Sequence, residues 1–344
     1  MDQGQYRGVR KYSQARGIDA EAIGSEVFIG CVDRWRRGVV IADSERRRRH
    51  IRQHSVLLLI AMAALLSYCG WIIARWDGIL WSLAGGAMML VLARRVSPDL
   101  VLQAIGARPM ARREAPVLYE ILDALCRRAG LDRVPHLCWV GERFPVAFTI
   151  GGGEAATIAL SRALVRQMSV REIRGILAHE IVHVRNGDIV LMQLAMVVGQ
   201  LTRIVSQIAF LLVFFSLFLR SVSAPSFPIV PLLVLAVAPL GVGLLQLALS
   251  RTREGEADLE AAELTGDPRG LASALIKMRH GQQTLLRGRF PSVAPLRVPP
   301  LFRDHPATEE RIRALLVMPQ PRDEAADHDL IDHSYESAGL RPWG

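Results

Sequence analysis

The sequence predicts a mainly α, multi-pass membrane protein with about four transmembrane helices and a cytoplasmic α+β domain that contains a small sheet. Hydrophobic residues make up 51% of the chain, more than is usual for a soluble globular protein. They are concentrated in four long apolar runs, and basic residues flank the first two. Between the second and third runs lies a segment in which helical and strand periodicities alternate.

The four apolar runs differ in length. They comprise residues 55–74, 78–93, 204–219 and 229–250. A transmembrane helix needs about 20 apolar residues to cross a bilayer core of about 30 Å, so the first and fourth runs are long enough by themselves. The two shorter runs span only if flanking arginines extend to the interface or the bilayer thins locally.

The distribution of arginine predicts the orientation. Five arginines lie between residues 46 and 52, before the first run, and Arg94 and Arg95 follow the second. Because Lys and Arg near transmembrane ends stay on the cytoplasmic side, the segment 94–188 should lie in the cytoplasm. This topology also explains the net charge of +9. No zinc-finger spacing or aromatic–basic pattern accompanies that charge, so the sequence predicts a membrane protein with no nucleic-acid partner.

The segment after the second apolar run is predicted to mix helix and strand. Residues 115–129 carry apolar side chains at helical spacing, with Pro116 suited to the first turn and Gly130 to the end. Residues 136–140 and 157–161 are short apolar or β-branched runs typical of strands. These runs form the predicted small sheet.

The stretch AHEIVHVRNGD, residues 178–188, contains the pattern H-E-x-x-H. Ser169 and Glu172 form a capping box ahead of an apolar helical pattern, and Asn186-Gly187 is a typical helix end. The sequence therefore places the pattern on a helix.

Helical spacing gives this pattern a chemical meaning. Residues four apart have Cβ atoms about 5–6 Å apart, so His179 and His183 can direct ring nitrogens at one metal ion. Glu180 can then accept a proton from a water molecule that the metal makes acidic. From the pattern alone, an ordinary helix with two histidines remains the alternative.

A catalytic zinc site usually needs a third protein ligand. Acidic residues follow the fourth apolar run closely, and they are Glu254, Glu256, Asp258, Glu260 and Glu263. Spacing alone does not choose among them, and a solvated acidic helix face is the alternative. A membrane-crossing hairpin favours a ligand, because it returns these acids to the side of the membrane on which the H-E-x-x-H helix lies.

Three motifs make the chain similar to the HtpX family of membrane-integral zinc metalloproteases, which is related more broadly to the CAAX prenyl proteases. They are HEIVHVRNGD at 179–188, SRTREGEAD at 250–258 and FRDHPATEERIRAL at 302–315, in the family's order around paired hydrophobic segments. The resemblance covers roughly residues 55–316. It implies a zincin-type (gluzincin) protease domain with one Zn²⁺ per chain.

The resemblance also implies roles for individual residues. Glu180 would be the base, and Asp258 would hold the free N–H of a histidine ligand. His305 resembles a family histidine that stabilises the oxyanion, and the alternative is that it fixes a loop before the last helix. The implied metal ligands are His179, His183 and Glu254.

Substrate binding in such proteases resembles strand addition, in which an extended peptide pairs with an exposed edge strand. The candidate edge is 147–150 or its partner 157–160. In the first of these, the residues at the substrate would be Ala147, Phe148 and Thr149. The family usually has Asn-Ala-Phe where this chain has Val146-Ala147-Phe148, so an amide that could contact the substrate backbone is missing.

The sequence divides the chain into six segments. They are a basic cytoplasmic leader (1–54), a transmembrane helical pair (55–93), the first part of the protease domain (94–188), a long helical hairpin crossing the membrane (189–250), the second part of the protease domain (251–318) and a disordered tail (319–344). His328 and His333 in the tail are better explained by solvated disorder than by a second metal site.

The expected function is that of a zinc-dependent endopeptidase of the inner (plasma) membrane, with a cytoplasmic active site, that hydrolyses peptide bonds with metal-activated water. Its substrates would be unfolded polypeptides or membrane proteins, and the family resemblance implies quality control of misfolded ones. One alternative is a selective processing protease with a single substrate. Another is a non-catalytic membrane adaptor that binds partners through its basic leader, which Glu180 disfavours because a carboxylate beside a metal has no structural necessity.

Overall fold

The structure, a computed structural model, describes residues 25–95, 98–141, 145–221, 228–287 and 309–319. Within these ranges it describes the side chains of residues 53–92, 101–141, 145–221, 228–280 and 309–319, apart from Glu154. His305, His328 and His333 lie outside the described residues, as do most of the predicted tail and the first part of the predicted leader.

Helices make up most of the described chain. In chain order the elements are α1 (Ser25–Arg95), α2 (Pro98–Ala104), β1 (Arg108–Pro109), α3 (Pro116–Ala129), β2 (His136–Val140), β3 (Ala147–Ile150), a 3₁₀ turn (Gly153–Ala155), β4 (Thr157–Ser161), α4 (Arg162–Gln167), α5 (Val170–Asn186), α6 (Asp188–Ser221), α7 (Ile229–Thr265), α8 (Pro268–Arg287) and α9 (Glu309–Val317). The chain forms two compact units, Met1–His54 and Ser55–Gly344. In the first unit, the described residues are helical from Ser25 onward.

Three described helical stretches are long and apolar enough to cross a membrane. They are Gln53–Leu92, Asp188–Ser221 and Ile229–Thr265. The first is interrupted, because Ala74 and Arg75 leave helical geometry and Arg75 has a φ of 54°. The interruption folds the helix back on itself: Gly70 and Gly78 lie so close that a methyl group on either would overlap the backbone of the other. The two predicted apolar runs before the mixed segment therefore form the two arms of a hairpin.

Helices α6 and α7 pack along each other through small and polar residues. Gly199 leaves space for Gln246, whose Nε2 donates a hydrogen bond to the Ala195 carbonyl oxygen at 2.6 Å. On the outside of the pair, Phe210 and Leu240 are each 70% exposed. Side chains of this kind would be costly in water, so this surface is suited to contact with lipid.

The sheet has the strand order β1-β2-β4-β3. Strands β2 and β4 are parallel, and the β1–β2 and β3–β4 pairs are antiparallel. Among the described strands, β3 therefore lies at an edge of the sheet, whereas β4 is hydrogen-bonded on both sides. Of the two candidate edges that the sequence offered, residues 157–160 are wrong for this physical reason, and residues 147–150 lie at the edge.

Each face of the sheet packs on helix. Ile158 and Leu160 belong to the main core, which includes Ile173 and Leu177 of α5. On the other face, Phe148 belongs to a smaller cluster that also contains residues of α2 and the segment after it. The sheet thus holds β3 beside α5, which carries the H-E-x-x-H pattern.

The ends of the helices around the sheet follow local sequence signals as predicted. Helix α3 begins at Pro116 and ends before Gly130, which has a left-handed φ of 70°. Helix α5 begins with a complete capping box of Ser169 and Glu172, and it ends before Gly187, which has a φ of 69°. These caps fix the length and position of α5 independently of the membrane helices.

Candidate active site

The centre of the site is a group of three buried side chains from two helices. His179 and His183 lie one turn apart on α5, and Glu254 lies on α7 after its apolar part. The two His Nε2 atoms are 3.1 Å apart. Glu254 Oε2 is 3.4 Å from His179 Nε2, and Glu254 Oε1 is 3.5 Å from His183 Nε2. Three potential metal ligands therefore point at one small volume.

These distances fit a metal ion of the size of zinc. In a regular tetrahedron with bonds of about 2.0–2.1 Å, the ligand atoms lie about 3.3 Å from one another. The three observed separations, two of which end at different oxygens of Glu254, bracket that value. Two imidazoles and a carboxylate also form a donor set that zinc accepts, with a fourth position for water or substrate. The residues present thus fit the metal that the sequence predicts.

Each histidine has a carboxylate behind it. Asp258 Oδ1 lies 3.0 Å from His179 Nδ1, and Asp188 Oδ2 lies 2.7 Å from His183 Nδ1. An Nδ1–H that donates to such a carboxylate fixes the tautomer, so that the Nε2 lone pair faces the centre. The two imidazoles are therefore oriented before any ligand binds.

Two buried arginines hold the carboxylates in turn. Arg253 pairs with Asp188 and with Glu256. Arg311, on α9, donates to both oxygens of Asp258, at 2.6 and 2.7 Å, and pairs with Glu254 Oε2 at 2.8 Å. A planar guanidinium suits such forked contacts because its N–H groups have a fixed geometry.

The charges of this cluster favour a cation. Among the described residues, the buried carboxylates of the cluster are Glu180, Asp188, Glu254, Glu256 and Asp258, and its buried guanidinium groups are Arg253 and Arg311. Negative charge is therefore in excess when the histidines are neutral. Buried charge is costly unless it is compensated, so the cluster needs either protons on its imidazoles or a metal ion.

The imidazole pKa values indicate the same need for positive charge. Burial opposes the charged form of His183, but hydrogen bonds to Asp188 and Glu254 outweigh burial and raise its pKa to about 10. The pKa of His179 is also raised, because hydrogen bonds to Asp258 and Glu254 overcome the effect of burial. A metal ion that takes the two Nε2 atoms must displace the protons that these raised pKa values favour.

Glu180 follows His179 directly along α5 and is buried. Its Oε2 accepts a hydrogen bond from Thr149 Oγ1 at 2.7 Å. Thr149 belongs to β3, so the predicted base contacts the predicted substrate edge directly. Ala147 lies on the same strand, whereas the Phe148 side chain packs against Cys138 and Val140 on the opposite face of the sheet. The Phe148 side chain therefore lies away from Glu180.

The structure separates the acidic residues that spacing left open. Glu254 lies close to both histidines, and Asp258, one turn further along, contacts His179. Glu256 pairs with Arg253, and Glu260 accepts from Asn186 Nδ2 at 2.8 Å. Glu263 is exposed. His305 lies outside the described residues, so the structure does not place it in or out of the site.

Sequence reasoning missed two residues of this cluster. Asp188 follows His183 by five positions at the start of α6, and a carboxylate so close to the H-E-x-x-H pattern was a usable signal. No role was predicted for Arg311. No spacing rule connects it with Asp258, since the two residues meet only after α7, α8 and α9 have packed.

Comparison with known proteins covers the whole of this site. The family description "Peptidase family M48" matches residues 112–318. A protease HtpX homolog of Methylibium petroleiphilum is 32% identical over 277 residues, which are 77% of this chain and 96% of the relative. A protease HtpX homolog of Acaryochloris marina is 34% identical over 277 residues, covering 77% of this chain and 91% of the relative. Protease HtpX of Legionella pneumophila is 32% identical over 277 residues, covering 76% and 97%.

These matches include all three metal-donor residues, both carboxylates behind the histidines and the edge strand. They agree with the resemblance that the three sequence motifs indicated, and they extend over most of the chain. The chain belongs to peptidase family M48 and is an HtpX-like member of it.

Proposed function

We propose that the protein is a membrane-bound, zinc-dependent endopeptidase with one Zn²⁺ per chain. The observation that carries this proposal is the group of three side chains whose nitrogen and oxygen atoms lie 3.1–3.5 Å apart, beside a buried glutamate and an edge strand. His179, His183 and Glu254 would hold the metal. Zinc, when bound, supplies a water molecule of lowered pKa and polarises the peptide carbonyl.

Glu180 is the proposed general base and acid. Its position next to His179 lets its carboxylate take the proton from the attacking water and pass it to the leaving amine. Burial of this carboxylate keeps bulk water from competing for the same proton. No covalent intermediate with the chain is needed, because water is the attacking group. His305 is retained as the proposed oxyanion stabiliser on the family resemblance alone.

The proposed substrate is an extended segment of a polypeptide that adds to the free edge of β3. Within the described residues no strand pairs with the outer side of β3. Recognition by backbone hydrogen bonds requires little sequence specificity and suits unfolded or damaged proteins. The family relation supports quality control of misfolded membrane proteins as the biological role, and it supports processing of a single substrate less well.

We also propose four transmembrane segments in the inner membrane, with the active site in the cytoplasm. The hairpin at Ala74–Arg75 supports two crossings in the stretch Gln53–Leu92, and α6 and α7 supply the other two. The arginines before the first segment and after the second support this orientation. The start of α6 and the end of α7 then lie on the same side as α5.

The test is cleavage of an unfolded casein-type substrate by detergent-purified protein, with zinc content measured on every sample. Wild type should bind about one zinc ion per chain and cleave, whereas Glu180→Gln should bind zinc and not cleave. Glu263→Gln is the matched control, because it removes an exposed carboxylate on α7. If wild type, Glu180→Gln and Glu263→Gln all bind zinc and none cleaves, the catalytic proposal is wrong and a membrane adaptor becomes the better explanation.

A further inference from the structure

The contact between Thr149 and Glu180 joins two parts of the proposed machinery. Thr149 is only 6% exposed and Glu180 only 2% exposed, and their side chains meet at 2.7 Å. A hydroxyl that donates to a carboxylate forms a charge-assisted hydrogen bond, which is stronger than a neutral one and is not weakened by water here. Its donor comes from the strand and its acceptor from the helix.

The backbone of β3 alternates between the sheet and the open edge. Ser161 N donates to the Val146 carbonyl oxygen at 3.0 Å, so Val146 faces β4. In an antiparallel pair, successive residues alternate between facing the partner strand and facing away from it. Phe148 and Ile150 therefore bond to β4. The N–H and C=O groups of Ala147 and Thr149 face the edge to which an extended peptide would add.

The side chains of β3 alternate as well. Phe148 and Ile150 belong to the cluster on one face of the sheet, whereas Ala147 belongs to the main core on the face where α5 lies. Thr149 has the same orientation as Ala147, and its hydroxyl reaches α5 at Glu180. One residue thus presents its backbone to the proposed substrate position and its side chain to the proposed base.

We propose that Thr149 is a positioning residue that holds Glu180 at a fixed distance from the substrate edge. This inference rests on the proposed protease function. Threonine is stiff at χ1, so the position of its hydroxyl follows the strand closely. The hydrogen bond takes Glu180 Oε2 and leaves the second carboxylate oxygen for the proton of the attacking water. Thr149 acts through Glu180, and its hydroxyl does not touch the reacting atoms.

If Thr149 has this role, removal of its hydroxyl should lower kcat and leave KM unchanged. Without the hydroxyl, the Glu180 carboxylate can rotate away from the attacking water, so each bound substrate reacts more slowly. The backbone groups that pair with the substrate are unchanged, so binding is preserved. A role in folding alone would change zinc content or thermal stability and leave kcat per zinc-loaded molecule as it is.

The experiment compares two pairs of variants that differ only by the hydroxyl. Wild-type threonine is paired with Thr149→Val, which has the same shape, and Thr149→Ser is paired with Thr149→Ala, which is small enough to fit without strain. In each pair, we expect loss of the hydroxyl to lower kcat per bound zinc by about 10- to 100-fold, with KM within about twofold. Thr149→Ser should keep a kcat within about threefold of wild type. The readout is cleavage of a fluorogenic unfolded peptide.

Thr157→Val is the matched control. Thr157 is buried on the neighbouring strand opposite Ile150, so its side chain lies on the face of the sheet away from Glu180. Thr157→Val should leave both kcat and KM unchanged. Equal kcat within both pairs, or a parallel loss in Thr157→Val, would overturn the role of Thr149. If Thr149→Val does not fold, the Ser and Ala variants decide alone.

The same assay separates this inference from the proposed function. If wild type cleaves, Glu180→Gln does not, and both hydroxyl pairs have equal kcat, the protease proposal stands and the role of Thr149 is wrong. If Glu180→Gln cleaves as wild type does, the proposed base is wrong and the role of Thr149 is wrong with it.

Discussion

The two halves of the metal-donor set are held by different parts of the molecule. His179 and His183 lie on α5, a helix with a cap at each end that packs on the sheet. Glu254 lies on α7, a helix whose first part is apolar enough to cross a membrane and packs against α6. The histidine pair is therefore fixed by local sequence signals. The proposed third ligand, Glu254, is fixed by the way the long apolar helices return to the domain.

Loss of the carboxylate that α7 contributes should have the largest effect on zinc content and activity. Glu254→Gln leaves α5 intact and replaces the carboxylate donor by a neutral amide, so zinc content and peptidase activity should both fall below detection. Glu263→Gln on the same helix should behave as wild type. The measurement is zinc per chain after gel filtration, together with casein cleavage. Full zinc content in Glu254→Gln would show that α5 alone, or another acid, holds the metal.

The carboxylates behind the histidines should have the next largest effect. Asp258→Asn and Asp188→Asn each remove the acceptor that orients one imidazole, and each should lower zinc affinity about 10- to 100-fold in a chelator competition. Asp188 also pairs with Arg253, which joins the start of α6 to α7. Asp188→Asn should therefore lower the Tm in detergent as well. Unchanged zinc affinity in both variants would contradict the orienting role.

Loss of the Glu172 carboxylate should have a smaller effect, which is on the stability of the domain that carries α5. Burial raises the pKa of Glu172, but hydrogen bonds from Lys277, Ser273 and Ser169 N outweigh it and hold that pKa below its ordinary value. The stabilisation is thus present above the pKa of an unfolded glutamate and is lost as pH falls through the lowered value. Glu172→Gln should cost about 1 kcal/mol of stability near pH 7.

This cost should shrink as the medium is acidified below about pH 4.3. The measurement is the difference in Tm between wild type and Glu172→Gln over that pH range, with the exposed Glu120→Gln as control. A difference that grows on acidification would have the wrong sign for a carboxylate of lowered pKa. It would show that the capping box stabilises α5 in another way.

The smallest effect should come from the contact between α6 and α7. Gly199→Ala places a methyl group where the Gln246 amide lies, so Gln246 must move and its hydrogen bond to the Ala195 carbonyl is lost. Such bonds between membrane helices contribute about 0.6 kcal/mol on average. Gly243→Ala is the control, because a methyl group there meets nothing within 4 Å. Gly199→Ala should unfold more easily than Gly243→Ala, and equal stability would show that the contact contributes nothing.

The same contrast explains what could be predicted from the sequence. Ser169, Glu172 and Gly187 fixed the ends of α5 because caps are local, and the strands at His136–Val140 and Thr157–Ser161 have the predicted bounds. The break at Ala74–Arg75 lies between the two predicted apolar runs for the same reason. Local signals were therefore sufficient for these elements.

Residues that meet only after packing could not be predicted in this way. Helical periodicity puts Glu254 and Asp258 on one face of α7, but it does not say that this face meets the histidines and that Glu256 and Glu260 meet Arg253 and Asn186. That choice depended on the family resemblance. Arg311 had no local signal, because its partners lie on a different helix.

Because α7 is one continuous helix, a small change in its tilt moves Glu254. Its 37 residues span about 55 Å as one helix, with lipid-facing turns at one end and a metal-donor carboxylate near the other. A tilt of about 5° over half that length displaces the far end by roughly 2 Å. Metal coordination tolerates only about 0.2 Å. Packing against α6, which holds the tilt of α7, therefore decides whether Glu254 stays within reach of the two histidines.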